Sequence, residues 1–183
     1  MSDVVNANQF LEELENTHIV LFHDGNDETK ETECNFIKKG LENGQHCFYT
    51  TQAPQKILDE MKEFGINVEN NELLHIVEIP KEFEDYSKMI LDKVKALPEK
   101  SKIRVISTHY FDFNTEKKTD RMAEIEQCVD DGFAKINGNF LCSFEVSQID
   151  QNLRDRFLNQ LLESHKAIIF QTKAKGTEVF TTP

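Results

Sequence analysis

The sequence predicts an α/β protein: a mostly parallel β-sheet covered by helices on both faces, with an antiparallel hairpin at its C-terminal edge. Three observations predict it. Apolar runs alternate with segments of helical spacing from end to end, the pattern of strand–helix–strand crossovers, which are right-handed and build parallel sheets. Runs such as Ile19-Val20-Leu21-Phe22 are continuously apolar, as expected of strands buried on both faces. The last two runs flank Lys173-Ala174-Lys175-Gly176, a connection suited to a hairpin rather than a crossover.

Taken in order, Asn6 to Leu14 reads as a short leading helix and His18 to Phe22 as the first strand. A helix from about Asp27 to Asn43 carries Phe36, Ile37 and Leu41 at helical spacing, and Gly44 ends it. Cys47 to Thr51 is the second strand. Pro54 suits the first position of the next helix, with Ile57, Leu58 and Met61 on one face and Phe64-Gly65-Ile66 closing it. Leu73 to Val77 is the third strand, stopped by Pro80, and Tyr86 to Leu97 a helix. Ile103 to Ser107 is the fourth strand. A polar stretch, Asn114 to Thr119, precedes a long helix from about Asp120 to Ile136. Asn137-Gly138 turns the chain into the strand Phe140 to Val146; Asn152 to Ser164 is helical, and Ala167–Phe170 and Glu178–Phe180 form the hairpin.

With 183 residues, 38% hydrophobic and 30% charged, residues 1–183 are expected to form one compact domain. The net charge of −12 argues against nucleic acid or an anionic membrane as partner, since both require a cationic surface. No window approaches the ~18 apolar residues of a membrane span, and Met1 to Asn6 lacks the basic start and apolar core of a secretory signal. Cys34, Cys47, Cys128 and Cys142 are widely spaced, so reduced thiols in a cytoplasmic protein are expected, with Cys47 and Cys142 inert inside strands.

Ligands of such sheets bind beyond the carboxyl ends of the strands. The first of these loops reads His23-Asp24-Gly25-Asn26-Asp27-Glu28-Thr29-Lys30-Glu31-Thr32-Glu33. A phosphate cradle there would read G-x-x-x-x-G-K-[ST]. Counting from Gly25, Lys30 replaces the second glycine and Glu31 the lysine; only Thr32 fits. Lys30 does not readily adopt glycine's backbone, and the clustered carboxylates repel phosphate. The acids either cap and solvate the helix start, or Asp24, Asp27 and Glu28 hold a hard cation or cationic ligand, or some nucleotide binding survives.

The stretch Ile19 to Val68, with His18-Ile19-Val20-Leu21-Phe22-His23-Asp24-Gly25-Asn26-Asp27-Glu28 and then Phe36-Ile37-Lys38-Lys39-Gly40-Leu41-Glu42-Asn43-Gly44-Gln45-His46-Cys47-Phe48-Tyr49, resembles the opening of the MEDS domain, the methanogen and methylotroph sensory domain. The segments Phe140 to Val146 and Leu161-Leu162-Glu163-Ser164-His165-Lys166-Ala167-Ile168-Ile169 resemble its end. The resemblance implies a three-layer RecA-like sandwich, related to RecA and KaiC ATPases but without their phosphate loop. It also implies a sensory role, often in company with a DNA-binding or histidine-kinase module; this sequence shows no such module.

Other chemistry is sparse. The histidines His18, His23, His46, His75, His109 and His165 show neither H-E-x-x-H nor zinc-ligand spacing. A site assembled in space from His23, His109 and an acid stays open, as does an acid pair of Glu145 with Asp150. His165 suits the C-terminus of the preceding helix. Tyr110, Phe111 and Phe113 either line a pocket or lie over the core. No G-x-S-x-G elbow occurs.

The expectation is therefore a stand-alone, non-catalytic sensory domain. It would bind a small-molecule ligand or signalling protein partner through His23, Asp24, Asn26, Asp27, Thr51, His109 and Tyr110, with no cofactor and no metal. Ligand binding would shift the loop population and alter a partner-facing surface. The alternatives are a nucleotide-binding switch or enzyme with an atypical phosphate site, and a homo-oligomerisation scaffold.

Overall fold

The structure, a computed structural model, describes residues 7–25, 27–80, 87–133, 136–173 and 176–181. The chain runs α1 (Ala7–Glu12), β1 (His18–His23), α2 (Asp27–Glu42), β2 (His46–Thr51), α3 (Pro54–Glu63), β3 (Leu74–Glu78), α4 (Ser87–Lys95), β4 (Ile103–His109), α5 (Glu116–Phe133), β5 (Gly138–Glu145), α6 (Arg154–Leu162), β6 (Ala167–Thr172) and β7 (Gly176–Thr181), with a 3-10 turn at Val146–Gln148. Seven strands form one sheet in the order β3-β2-β4-β5-β1-β6-β7. All neighbours are parallel except β6 and β7, the expected antiparallel edge. No helix among the described residues is long and apolar enough to cross a membrane.

The central strands are buried over almost their whole length because helices cover both faces. Side chains alternate between two cores. Ile19 and Leu21 of β1, Cys47 and Tyr49 of β2 and Leu141 of β5 pack with Phe36 and Ile37 of α2 and Met61 of α3. Val20, Phe22, Val105, Cys142 and Phe144 pack on the other face with Met122 and Ile125 of α5 and Phe157 and Leu161 of α6. A completely buried Phe or Ile contributes about 1.5–3 kcal/mol relative to exposure, so these two layers are the main stabilising term.

Local rules explain most boundaries. Gly44, at φ +68°, takes the left-handed conformation that ends α2, and the Gln45 amide donates back to the Gly40 carbonyl at 2.9 Å. Pro54 opens α3 at a position whose amide needs no partner. Most boundaries move by one to three residues, and the largest shift is at α5, which begins at Glu116 rather than Asp120. The Thr115 hydroxyl and carbonyl accept from the Lys118 and Thr119 amides, so the polar stretch is the solvated first turn of the helix. Phe111 and Phe113 are buried, and Phe113 pairs with Ile149 in a parallel bridge. They belong to the core, whereas Tyr110 stays exposed. Tyr86 and the hairpin tip Ala174-Lys175 lie outside the described residues.

Candidate functional site

The carboxyl end of the sheet opens where β2 and β4 part. Their ladder ends at Tyr49 against Ile106. Beyond it the Thr108 amide donates to Thr50 Oγ1 at 2.9 Å, and the Thr108 hydroxyl donates to the Thr50 carbonyl. On the α2 face this opening forms a cleft of about 260 Å³ lined by residues of β1, α2, α3, β4 and β5.

The loop after β1 shapes one wall. Gly25 sits at φ +75°, and a Cβ there would come within 3.3 Å of the Glu145 carboxyl group. The glycine thus serves both a left-handed turn and a close approach. The Gly25 amide donates to His23 Nδ1 at 3.0 Å, which leaves the neutral ring its proton on Nε2. Burial holds the His23 imidazole below its ordinary pKa, against the opposing pull of Glu33 and Glu145. α2 has already begun at Asp27, so Thr29, Lys30 and Thr32 are helical residues.

Beneath the cleft lies a connected polar network. Glu33 is buried yet accepts at Oε2 from Lys30 Nζ (2.7 Å) and the Tyr49 hydroxyl (2.5 Å), and at Oε1 from the Ser143 hydroxyl (2.7 Å). Lys30 also donates to the Tyr49 oxygen at 2.7 Å. Burial would raise the Glu33 pKa, but the Lys30 charge and the donated hydrogen bonds outweigh it and hold the carboxyl below its usual range. For Lys30, burial is outweighed in turn by Glu33, and the ammonium is held above its usual value. Lys56, Glu60 and Glu145 stand around this pair at the cleft wall.

The residues expected at the site divide. His23, Asp27, His109 and Tyr110 all contribute to the cleft, and Thr51 lines an adjoining depression that shares Lys30, Lys56, Glu60 and Tyr110. The His23 and His109 rings do not meet. His109 belongs to the opposite side of the sheet, where its ring stacks on Phe144 at 4.2 Å and Nε2 lies 3.2 Å from Glu126 Oε1. Asp24 turns away and accepts from the Lys173 amide at 2.8 Å, tying β1 to the hairpin. Asn26 lies outside the described residues. Asp24, Asp27 and Glu28 do not gather as a ligand set among the described residues. Glu145 and Asp150 take separate partners, Ser147 and the Asn152 amide.

Sequence reasoning passed over Lys30 as a misfit to the phosphate motif and Glu33 as one more solvating acid. A signal was present: Glu33 falls on the same helical stripe as Phe36, Ile37 and Gly40, and a carboxylate on a buried stripe needs a partner. Its nearest basic neighbour on that face is Lys30.

A family model described as the methanogen/methylotroph, DcmR sensory domain (MEDS) matches residues 17–166. No curated protein matches the sequence. Among solved structures, the Pyrococcus horikoshii OT3 protein PH0250 superposes with a TM-score of 0.64 at 10% identity, covering 97% of this chain and 93% of that one. A KaiC-like protein of the same organism gives 0.59 at 15% identity over 90% and 76% of the two chains. The flagellar accessory protein FlaH of Methanocaldococcus jannaschii gives 0.55 at 12% over 92% and 74%. The sheet and its two helical layers are thus a RecA/KaiC-like sandwich.

Proposed function

Because the chain belongs to the MEDS family of sensory domains, we propose that it is a single non-catalytic sensory domain whose cleft at the carboxyl edge of the sheet binds a small polar ligand. The observation that carries this reading is the Lys30–Glu33–Tyr49–Ser143 network beneath the cleft. Such a network presents fixed donors and acceptors and a paired charge, and it holds them rigidly enough to read a ligand's shape. The cleft carries Lys30 and Lys56 against Asp27, Glu33, Glu60 and Glu145. That balance suits a zwitterionic or cationic organic molecule and opposes a polyphosphate.

The degenerate phosphate loop supports the same reading. A nucleotide cradle needs consecutive backbone amides facing an anion before the helix starts. Here the helix starts two residues beyond Gly25, and the Glu145 carboxyl packs against Gly25. A bound ligand would displace Tyr110 or reorganise the loop after β1, and so present a changed surface to a signalling partner.

Thermal melts of the purified chain against a panel of amino acids and small amines, with ATP and GTP plus Mg²⁺ as controls, test this. The expected result is a rise in Tm with a zwitterionic or cationic member, abolished in Lys56→Ala or Glu60→Ala, and none with either nucleotide. A nucleotide-dependent rise lost in Thr32→Ala would overturn the reading in favour of a nucleotide switch.

A further inference from the structure

On the face of the sheet opposite the cleft, five elements bring four metal-ligating side chains to one point. His18 opens β1, Cys142 lies in the middle of β5, Glu126 projects from α5, and His165 follows α6 just before β6. All four are buried, and one donor atom from each lies within 4.8 Å of all the others. Glu126 Oε2 is 3.0 Å from Cys142 Sγ, 3.3 Å from His18 Nε2 and 3.5 Å from His165 Nε2. His18 Nε2 is 3.3 Å from Cys142 Sγ. Ligands of a tetrahedral zinc ion, at bond lengths of about 2.0–2.3 Å, stand about 3.3–3.8 Å apart. The four separations just given lie close to the edges of that tetrahedron, and the other two are within 4.8 Å. We propose that His18, Glu126, Cys142 and His165 form a buried four-coordinate site for a zinc-type divalent transition metal.

The surroundings of the four groups fit the same assignment. A ligating imidazole is oriented by a hydrogen bond from its other nitrogen to a carboxylate or backbone carbonyl. His165 Nδ1 lies 2.7 Å from the Leu161 carbonyl oxygen, which directs Nε2 inward. His18 Nδ1 lies 3.5 Å from Asp130 Oδ1 with the same effect. The second carboxylate oxygen of Glu126 is held by His109 Nε2 at 3.2 Å. Each ligand with a second polar atom thus has a polar partner within 3.5 Å of that atom.

Charge agrees as well. Two neutral imidazoles, one carboxylate and one thiolate sum to −2, so a divalent cation makes the buried centre neutral, which a low-dielectric interior favours. Binding replaces the thiol proton of Cys142 with the metal and releases that proton to solvent. The donor set of one sulfur, two nitrogens and one oxygen selects zinc-like ions over calcium or magnesium. With four protein ligands no coordination position is left open, so the site is structural: it clamps α5 and the α6–β6 junction onto β1 and β5. Through Glu126 and His109 it also reaches the end of β4, where Tyr110 begins the cleft wall. The site does not depend on the cleft's own ligand.

The test is cobalt substitution of the metal-stripped full chain. Adding one equivalent of Co²⁺ should give a thiolate-to-cobalt charge-transfer band in the near ultraviolet and tetrahedral ligand-field bands in the visible. One equivalent of Zn²⁺ should bleach them and raise Tm. Cys142→Ser should remove the charge-transfer band, and Cys128→Ser, a change at an exposed thiol, should keep it. Asp130→Asn, which leaves all four ligands in place, should weaken Zn²⁺ binding by about 10–100-fold. The wild-type spectrum decides the matter even if Cys142→Ser fails to fold. Absence of the charge-transfer band in the wild-type chain, or its loss in Cys128→Ser, overturns the proposal.

Discussion

Glu33 shows how much one side chain can organise. It is a carboxylate placed among Phe36, Ile37 and Tyr49, and it is stable there because Lys30, Tyr49 and Ser143 all donate to it. Truncation to Ala would leave the Lys30 charge without its counterion beside a core. We expect Glu33→Ala to lower unfolding free energy by about 3 kcal/mol, measured by urea denaturation at neutral pH. The sign of the pH dependence follows from its depressed pKa. Glu33's contribution is complete above its ordinary value of 4.5, and it is lost as pH falls through its lower folded value. The stability gap between wild type and Glu33→Gln should therefore narrow on acidification; a gap unchanged at acid pH would show that the ion pair adds nothing.

The cysteines give a second residue-scale expectation. Burial pushes the Cys34 and Cys47 thiols up to about 12, and burial with the neighbouring Glu126 carboxylate raises Cys142 well above its ordinary value. Only Cys128 is exposed. Since the thiolate is the reactive form, Ellman's reagent should label one thiol per native chain rapidly and the other three only on unfolding. Rapid labelling of more than one would contradict the packing.

At the scale of elements, α2 is set by a contest between helix propensity and close approach. Gly40 lies within the helix, where Ala would be favoured by about 1 kcal/mol. A Cβ at Gly40, however, would stand 2.5 Å from Cys47 Sγ and 2.8 Å from Arg104 Cδ. Arg104 is buried there because its guanidinium donates to the Phe36 carbonyl and the Gln45 side chain and lies over the Phe36 ring. Gly40→Ala should therefore destabilise by about 1–3 kcal/mol despite its better propensity, read from the shift of the denaturation midpoint. A stabilised variant would mean that α2 rides higher on the sheet.

At the scale of the whole molecule, the dominant electrostatic fact is the net charge of −12. Self-repulsion of that size opposes the compact state, and salt screens it. Exposed pairs such as Arg156 with Asp120 and Glu116 are each worth about 0–1 kcal/mol, too little to reverse the trend. Tm should rise from low salt to physiological salt; a fall would show that attractive pairs outweigh the excess of acids.

The order and type of elements were legible in the sequence because apolar runs and helical stripes are local, period-based signals, and each of the expected strands is found. Gly44 and Pro54 worked for the same reason: each acts through its own backbone. The start of α5 was misplaced because a solvated first turn and a loop share a polar composition. The lining of the cleft was only half legible. His23, Thr51 and Tyr110 follow from strand ends alone, but which face a side chain takes depends on register. Register sent the His109 ring away from His23 and against Glu126.

What the amino-acid sequence determined by itself was the parallel sheet, its two covered faces and the helix boundaries fixed by glycine and proline, since these depend on neighbours a few positions apart. The pairings across the sheet were decided only by tertiary structure. Lys30 with Tyr49 and Ser143, and His18 with Glu126, Cys142 and His165, come from strands and helices far apart in the chain. Crossover topology and strand order set those distances, and no spacing along the sequence encodes them.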